Sequence, residues 1–351
     1  MKTYKNIYDK ICSTENLITA FKKARKGKSK KFYVVEFEKN LEQELKNLQK
    51  ELISKTYKPK PLKRFVIRDP KTRIIHASAF RDRVVHHALV NILEPIFEKI
   101  FTYDSFASRK NKGTHLAVER LEKFMRMVSR NGKPAKNALN KNMVEGYVLK
   151  ADIKSYFDNV DREVLIGLIR KNINDDGAIW LTRQILNNFD SKIKGKGMPL
   201  GNLTSQFFAN VYLNELDYFV KHRLKSKYYI RYVDDFVILH RNKKRLEYFK
   251  KQIDNFLVHE LKLWLHPDKS KILPLRNGIT FLGYRLFYYY KLLVKRNIRK
   301  ILLKINEYKQ DKISKEKMLE SFQGWNAYAK WANSYTLRRE IVRKIYSKDN
   351  Q

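Results

Sequence analysis

The stretch Tyr228-Tyr229-Ile230-Arg231-Tyr232-Val233-Asp234-Asp235-Phe236-Val237-Ile238-Leu239 decides the fold. Two adjacent carboxylates, Asp234 and Asp235, sit between two apolar β-forming runs, which predicts a strand-turn-strand hairpin with the acids at its tip. Ionised carboxylates side by side repel, and a divalent cation reverses that sign. Hard oxygen ligands suit Mg²⁺, with Mn²⁺ as a substitute, rather than zinc. A third carboxylate, Asp152, closes another apolar run, Tyr147-Val148-Leu149-Lys150-Ala151. Carboxylates from two neighbouring strands holding two metal ions make a phosphoryl-transfer site, to which the backbone carbonyl of Ile153 adds a further ligand. An isolated Asp-Asp is more often a turn or a helix cap. The strand-like flanks and the matching Asp152 favour the metal site here.

The bulk numbers point to the same chemistry. The chain has 351 residues, enough for two or three substructures with real cores, and it is 43% hydrophobic and 13% aromatic. It carries 75 Lys and Arg against 36 Asp and Glu, a formal charge of +39. A Lys-rich surface explains part of that excess, but an imbalance this large implies a polyanionic partner, nucleic acid first of all. One cysteine, Cys12, excludes a disulfide framework and a Cys-based zinc site. No apolar run is long enough to span a bilayer and no signal peptide is evident, so no membrane role and a reducing cytoplasmic setting, in a bacterial or phage-infected cell, are expected.

Periodicity lays out the rest. A short helix is expected over roughly Thr14 to Ala24, a basic run from Lys22 to Lys31, and one helix from Val35 to Ser54. Lys58-Pro59-Lys60-Pro61 forces extended chain. Phe65-Val66-Ile67, a turn at Asp69-Pro70, and Arg73-Ile74-Ile75 predict a β-hairpin. Arg81 to Phe101 is an amphipathic helix, and Thr114 to Val128 another. Asn131 to Asn142 reads as a basic loop. Phe207 to Phe219 is a core helix, Lys244 to His259 a further helix, and the last sixty or so residues are helical and basic. Asp158 precedes Asn159-Val160-Asp161-Arg162-Glu163 and is read as a helix cap. Ser108-Arg109-Lys110-Asn111-Lys112-Gly113-Thr114 reads as a cationic loop at a helix start, a seat for nucleic-acid phosphates with Arg109 and Lys110 as its contacts.

At these residues the sequence resembles reverse transcriptases. Tyr232-Val233-Asp234-Asp235 looks like their palm hairpin, and Asp152 with Phe157 like their first catalytic strand. Gly197-Met198-Pro199-Leu200-Gly201-Asn202-Leu203-Thr204-Ser205-Gln206 resembles the Gly-Asn-x-Thr-Ser-Gln signature of the enzymes of bacterial and phage diversity-generating retroelements. The resemblance runs from about Pro59 to Tyr284. It implies an α+β right-hand polymerase fold, an antiparallel palm sheet packed on helices. The expected divisions are 1–146 for the N-terminal region and fingers, 147–287 for the palm, and 288–351 for a helical thumb.

The resemblance also implies roles. Asp152, Asp234 and Asp235 match the catalytic carboxylates, and Phe157 the aromatic gate that excludes a ribose 2′-hydroxyl. Gln206 matches the contact to the incoming nucleotide, and Gly201 a close approach to the template pair. Lys71 and Arg73 resemble a triphosphate clamp, with Arg68 as a third candidate. Lys269, with Lys271 as alternative, matches the proton donor to pyrophosphate. Phe281, Gly283 and Tyr284 resemble the primer grip. The implied function is RNA-directed DNA synthesis from a retroelement RNA, error-prone at template adenines. The implied partners are template RNA, the RNA/cDNA duplex, deoxynucleoside triphosphates and a small basic accessory protein. Alternatives are a retron, group II intron or abortive-infection reverse transcriptase, or a non-catalytic RNA-binding scaffold.

Overall fold

The computed structural model describes residues 3–68, 72–134 and 143–347. Its organising element is a four-stranded antiparallel sheet in the order β4-β5-β3-β6. Its strands are β3 (Tyr147–Asp152), β4 (Tyr229–Tyr232), β5 (Asp235–His240) and β6 (Lys271–Pro274). Side chains alternate across a strand, and here both faces are covered. Leu149, Ala151, Tyr229, Phe236 and Ile238 face a large helical core. Val148, Ile230, Val237 and Leu239 face a second core shared with a small sheet. That two-sided burial explains why β3 and β5 read as near-continuous apolar runs rather than as clean alternation.

The helix Leu203–Tyr218 packs in the first core with Phe208 and Tyr212 fully buried. Arg162–Arg170 and Phe80–Glu98 pack against it, and Asp176–Asn187 packs on those two. The small sheet is β7 (Ile279–Phe281), β8 (Tyr284–Leu286) and β9 (Lys291–Leu293). A third cluster joins the terminal helices Lys295–Lys309, Lys315–Ala329 and Tyr335–Tyr346. A separate two-stranded hairpin, β1 (Lys63–Ile67) with β2 (Arg73–Ala77), leaves Phe65, Val66, Ile67 and Ile74 exposed. These elements form a right-hand polymerase fold. The first two cores run across the expected boundary between 146 and 147.

Several expectations are corrected. The helix expected over Val35–Ser54 is two, Phe32–Lys39 and Leu41–Ile53, parted at Asn40 (φ −117°, ψ 33°). Asn is a poor helix former whose side chain competes for the backbone, and the leucine repeat belongs to the second helix alone. Asp158 is not the cap of the next helix but lies inside a single turn, Tyr156–Asn159. Asp161 takes the cap, accepting from the N–H groups of Glu163 and Val164, both at 3.1 Å. The turn expected at Asp69-Pro70, and most of the loop to Asn142, lie outside the described residues. Among the described residues no helix is long and apolar enough to cross a membrane.

Candidate active site

In the ladder of β4 and β5, Tyr232 pairs with Asp235, which leaves Val233 and Asp234 as a two-residue turn. Such turns need positive φ at the first central position, and Val233 supplies it at φ +56°. A β-branched residue there is strained by about 1–3 kcal/mol, so something must hold it. Arg231 does. Its Nη1 donates to the Val233 carbonyl at 3.0 Å. The rest of its guanidinium is locked beneath the sheet: Nε and Nη2 donate to the two Asp217 carboxylate oxygens at 2.7 and 2.6 Å, Nη2 to Ser105 Oγ at 3.0 Å, and Nη1 to Asn210 at 3.3 Å. Both Arg231 and Asp217 are 0% exposed. Burial by itself would lower the arginine pKa; Asp217 outweighs it and leaves the pKa above its ordinary value.

In the β3–β5 ladder Asp152 stands directly opposite Asp235. Their side chains therefore leave the same face. It is the face of Lys150, whose ammonium reaches the Thr280 carbonyl of β7 at 3.0 Å. Burial first, and then the Asp152 charge, push the Asp234 carboxyl up to about 6. The chain between β5 and β6 closes in from the other side. His266 N–H donates to the Asp152 carbonyl at 2.7 Å, and Lys269 forms an ion pair with Asp152 Oδ2. Lys269 is thus separated from Lys271, which lies exposed on β6. The bridge between Ile153 and Leu265 is built from the backbone atoms flanking Ile153, through Asp152 O and Lys154 N. Ile153's own carbonyl takes no part in it.

Among the described residues no three acid, His or Cys side chains form a ready-made metal cage. Asp152 and Asp234 can offer carboxylate oxygens to a divalent ion whose remaining ligands are water and phosphate oxygens. The crowding felt by Asp234 is the local sign that positive charge belongs beside it.

Phe157 sits half-buried just past β3, its ring edge-on to Tyr156 at 5.2 Å, after Ser155 turns the chain at φ +45°. Its carbonyl accepts from Met198 N–H at 2.7 Å, tying it to the Gly197–Gln206 block. Asn202 of that block binds the hairpin: Nδ2 donates to His76 O at 3.1 Å, and Oδ1 accepts from Ser78 Oγ at 2.7 Å. Gly201, at φ +110°, packs against β2, where an added Cβ would lie 2.6 Å from Ile75 Cγ2. Gln206 is exposed on the first turn of a largely buried helix. Arg73 and Arg68 are exposed on the hairpin; Lys71 lies outside the described residues.

Other candidates land elsewhere. Arg109 is turned inward, its Nε and Nη2 on Glu98 and its Nη1 on the carbonyls of Thr102 and Ser105, so its donors are taken. Lys110 beside it is exposed. Phe281 and Tyr284 pair across the β7–β8 turn with buried rings, and the turn presents Leu282 and Gly283, both at positive φ. Tyr328 Oη lies 2.2 Å from where a Gly283 Cβ would stand. Arg231 and Asp217 were the residues sequence reasoning passed over, and Asn202 stood in a motif without a role. The available signal was a charge at core-facing positions of an apolar strand and an apolar helix, which demands a partner.

An antiparallel sheet that carries its carboxylates at one end of two paired strands, set among these helical cores, fits a right-hand nucleic-acid polymerase. The sequence agrees: residues 58–286 match the model of the reverse transcriptase (RNA-dependent DNA polymerase) family, and the chain belongs to that family. It is 28% identical over 283 residues to protein YkfC of Escherichia coli (strain K12), covering 69% of this chain and 71% of that one. It is 26% identical over 313 residues to the group II intron-encoded protein LtrA of Lactococcus lactis subsp. cremoris, covering 69% of this chain and 49% of that one. The chain thus spans about half the length of that intron-encoded relative. Among solved structures, telomerase from Candida albicans, in complex with a TWJ fragment of telomeric RNA, has a TM-score of 0.50 at 11% identity, covering 86% of this chain and 64% of that one. The likeness there is one of fold.

Proposed function

We propose that this chain copies an RNA template into cDNA at Asp152, Asp234 and Asp235. The observation that carries the reading is the register that sets Asp152 against Asp235, beside the turn that carries Asp234. Asp152 and Asp234 would hold divalent metal ions, which would lower the pKa of a primer 3′-hydroxyl and offset charge on leaving pyrophosphate. The chain's own groups do the rest. Lys269 pairs with Asp152 Oδ2, where it is placed to protonate the pyrophosphate. Phe157 fills the space a ribose 2′-hydroxyl needs. Gln206 meets the nucleotide, Arg73 and Lys71 its phosphates, and Leu282-Gly283 the primer end. In this reading, residues 1–146, 147–287 and 288–351 act as fingers, palm and thumb.

The finer assignment is a diversity-generating retroelement enzyme, error-prone at adenines and aided by a small basic accessory protein. Its support is the Gly201-Asn202-Leu203-Thr204-Ser205-Gln206 block. A group II intron-type enzyme is the second reading, favoured by the similarity to the intron-encoded protein. The test is primer extension on RNA with deoxy- or ribonucleotides, with the products sequenced. Deoxynucleotide-only extension supports the polymerase and the Phe157 gate, and ribonucleotide extension refutes the gate. Errors concentrated at adenines support the retroelement assignment; uniform errors favour the intron type.

A further inference from the structure

At the end of Leu203–Tyr218 away from Gln206, the helix widens into a π-helix, Phe219–Arg223. That geometry is rare and often marks a functional site. Lys221 and His222 from it line a cleft of about 900 Å³ floored by Phe97, Phe101 and Val211. Tyr218 is 56% and Tyr103 66% exposed at its rim, and the Tyr218 and His222 rings lie 4.4 Å apart. The charge is one-sided. Lys171, Lys221, Lys225 and Lys227 line the cleft with one carboxylate, Glu215. Lys171 pairs with Glu215 at 3.2 Å and Lys221 with buried Asp104 at 2.6 Å, while Lys225 and Lys227 stand exposed. Twelve residues of helix separate Tyr218 from Gln206, a rise of about 18 Å, so this cleft is not the catalytic one.

We propose that this cleft is a second RNA site that holds a short run of unpaired nucleotides. Bases stack on Tyr218 over the apolar floor, and phosphates meet Lys225, Lys227 and His222. Single-strand binders combine a cationic groove with aromatic platforms in this way, whereas a duplex keeps its bases stacked inside and cannot use such a floor. The inference rests on the RNA-copying reading only for the class of polyanion.

The test fills the catalytic site first. The full chain is stalled on a primed RNA template with a terminated primer and the next deoxynucleotide, and a short fluorescent single-stranded RNA is then titrated. The stalled complex should bind it. Lys225→Ala/Lys227→Ala should weaken binding about tenfold and lower the log–log salt slope by roughly 1.4. Tyr218→Ala should weaken it about tenfold with the slope unchanged. Both variants should extend the primer at the unmodified rate. No binding to the stalled complex, or unchanged affinity in both variants, overturns the site. An acidic peptide that binds through Lys225 and Lys227 and displaces the RNA, with no dependence on Tyr218, also overturns it. Extension is scored separately on the unmodified chain, so its failure would sink the proposed function and not this site.

Discussion

Replacing Arg231 with Met should separate two jobs that one side chain performs. The guanidinium neutralises Asp217, and it also holds the Val233 carbonyl of the strained turn. Removing one partner of a fully buried pair costs about 3–5 kcal/mol, which for a chain of 351 residues lowers Tm by about 4–7 °C. Adding Asp217→Asn removes the stranded charge and leaves an amide oxygen to accept from Tyr229 Oη, which bonds Asp217 at 2.5 Å in the unmodified protein. The double variant should regain most of the lost stability. It should not regain activity, because the hydrogen bond that holds the Val233 carbonyl is then gone. A turn displaced by an ångström costs on the order of a hundredfold in rate. Thermal melts paired with single-nucleotide incorporation read the two jobs independently. A double variant that recovers both stability and rate would refute the claim that Arg231 positions the catalytic turn.

The raised Asp234 pKa fixes a sign. The folded carboxyl binds its proton more tightly than the unfolded one, so stability without metal should fall as pH rises from about 4 to about 6. A divalent cation competes with that proton. The Mg²⁺-induced rise in Tm should therefore be small at pH 5 and full above pH 7, and Asp234→Asn should flatten it, as melts across that range would show. Gly201→Ala should cost about 1–3 kcal/mol from its positive φ, with more from the approach to Ile75. Ile75→Ala in the same chain should return the clash portion only, read by melts. Asp161→Ala removes a cap and should cost about 1 kcal/mol with the incorporation rate unchanged, measured by melts and primer extension.

The catalytic hairpin was legible because acids interrupt apolar runs of period two, and the position of Asp152 at the end of a similar run gave its partner strand. The block around Asn202 was legible as a motif but not as a latch, since its partners His76 and Ser78 lie far away in sequence. Arg109 read as a template contact because its loop is cationic. Its partner Glu98 sits on the preceding helix, and only packing turns the side chain inward. Asp158 and Asp161 both suit a cap, and the choice depended on where the helix begins. Phe281 and Tyr284 carried the family pattern, while their burial came from contacts with the terminal helices that no local pattern encodes.

The most direct test of the central claim is single-turnover incorporation of one deoxynucleotide on a primed RNA template, comparing the unmodified chain with Asp152→Asn and Asp234→Asn. The account predicts metal-dependent incorporation by the unmodified chain, and loss of at least three orders of magnitude in each variant, a drop in keeping with the several kcal/mol of transition-state stabilisation that a bound metal supplies. Near-normal incorporation by either variant, with folding intact, would contradict it.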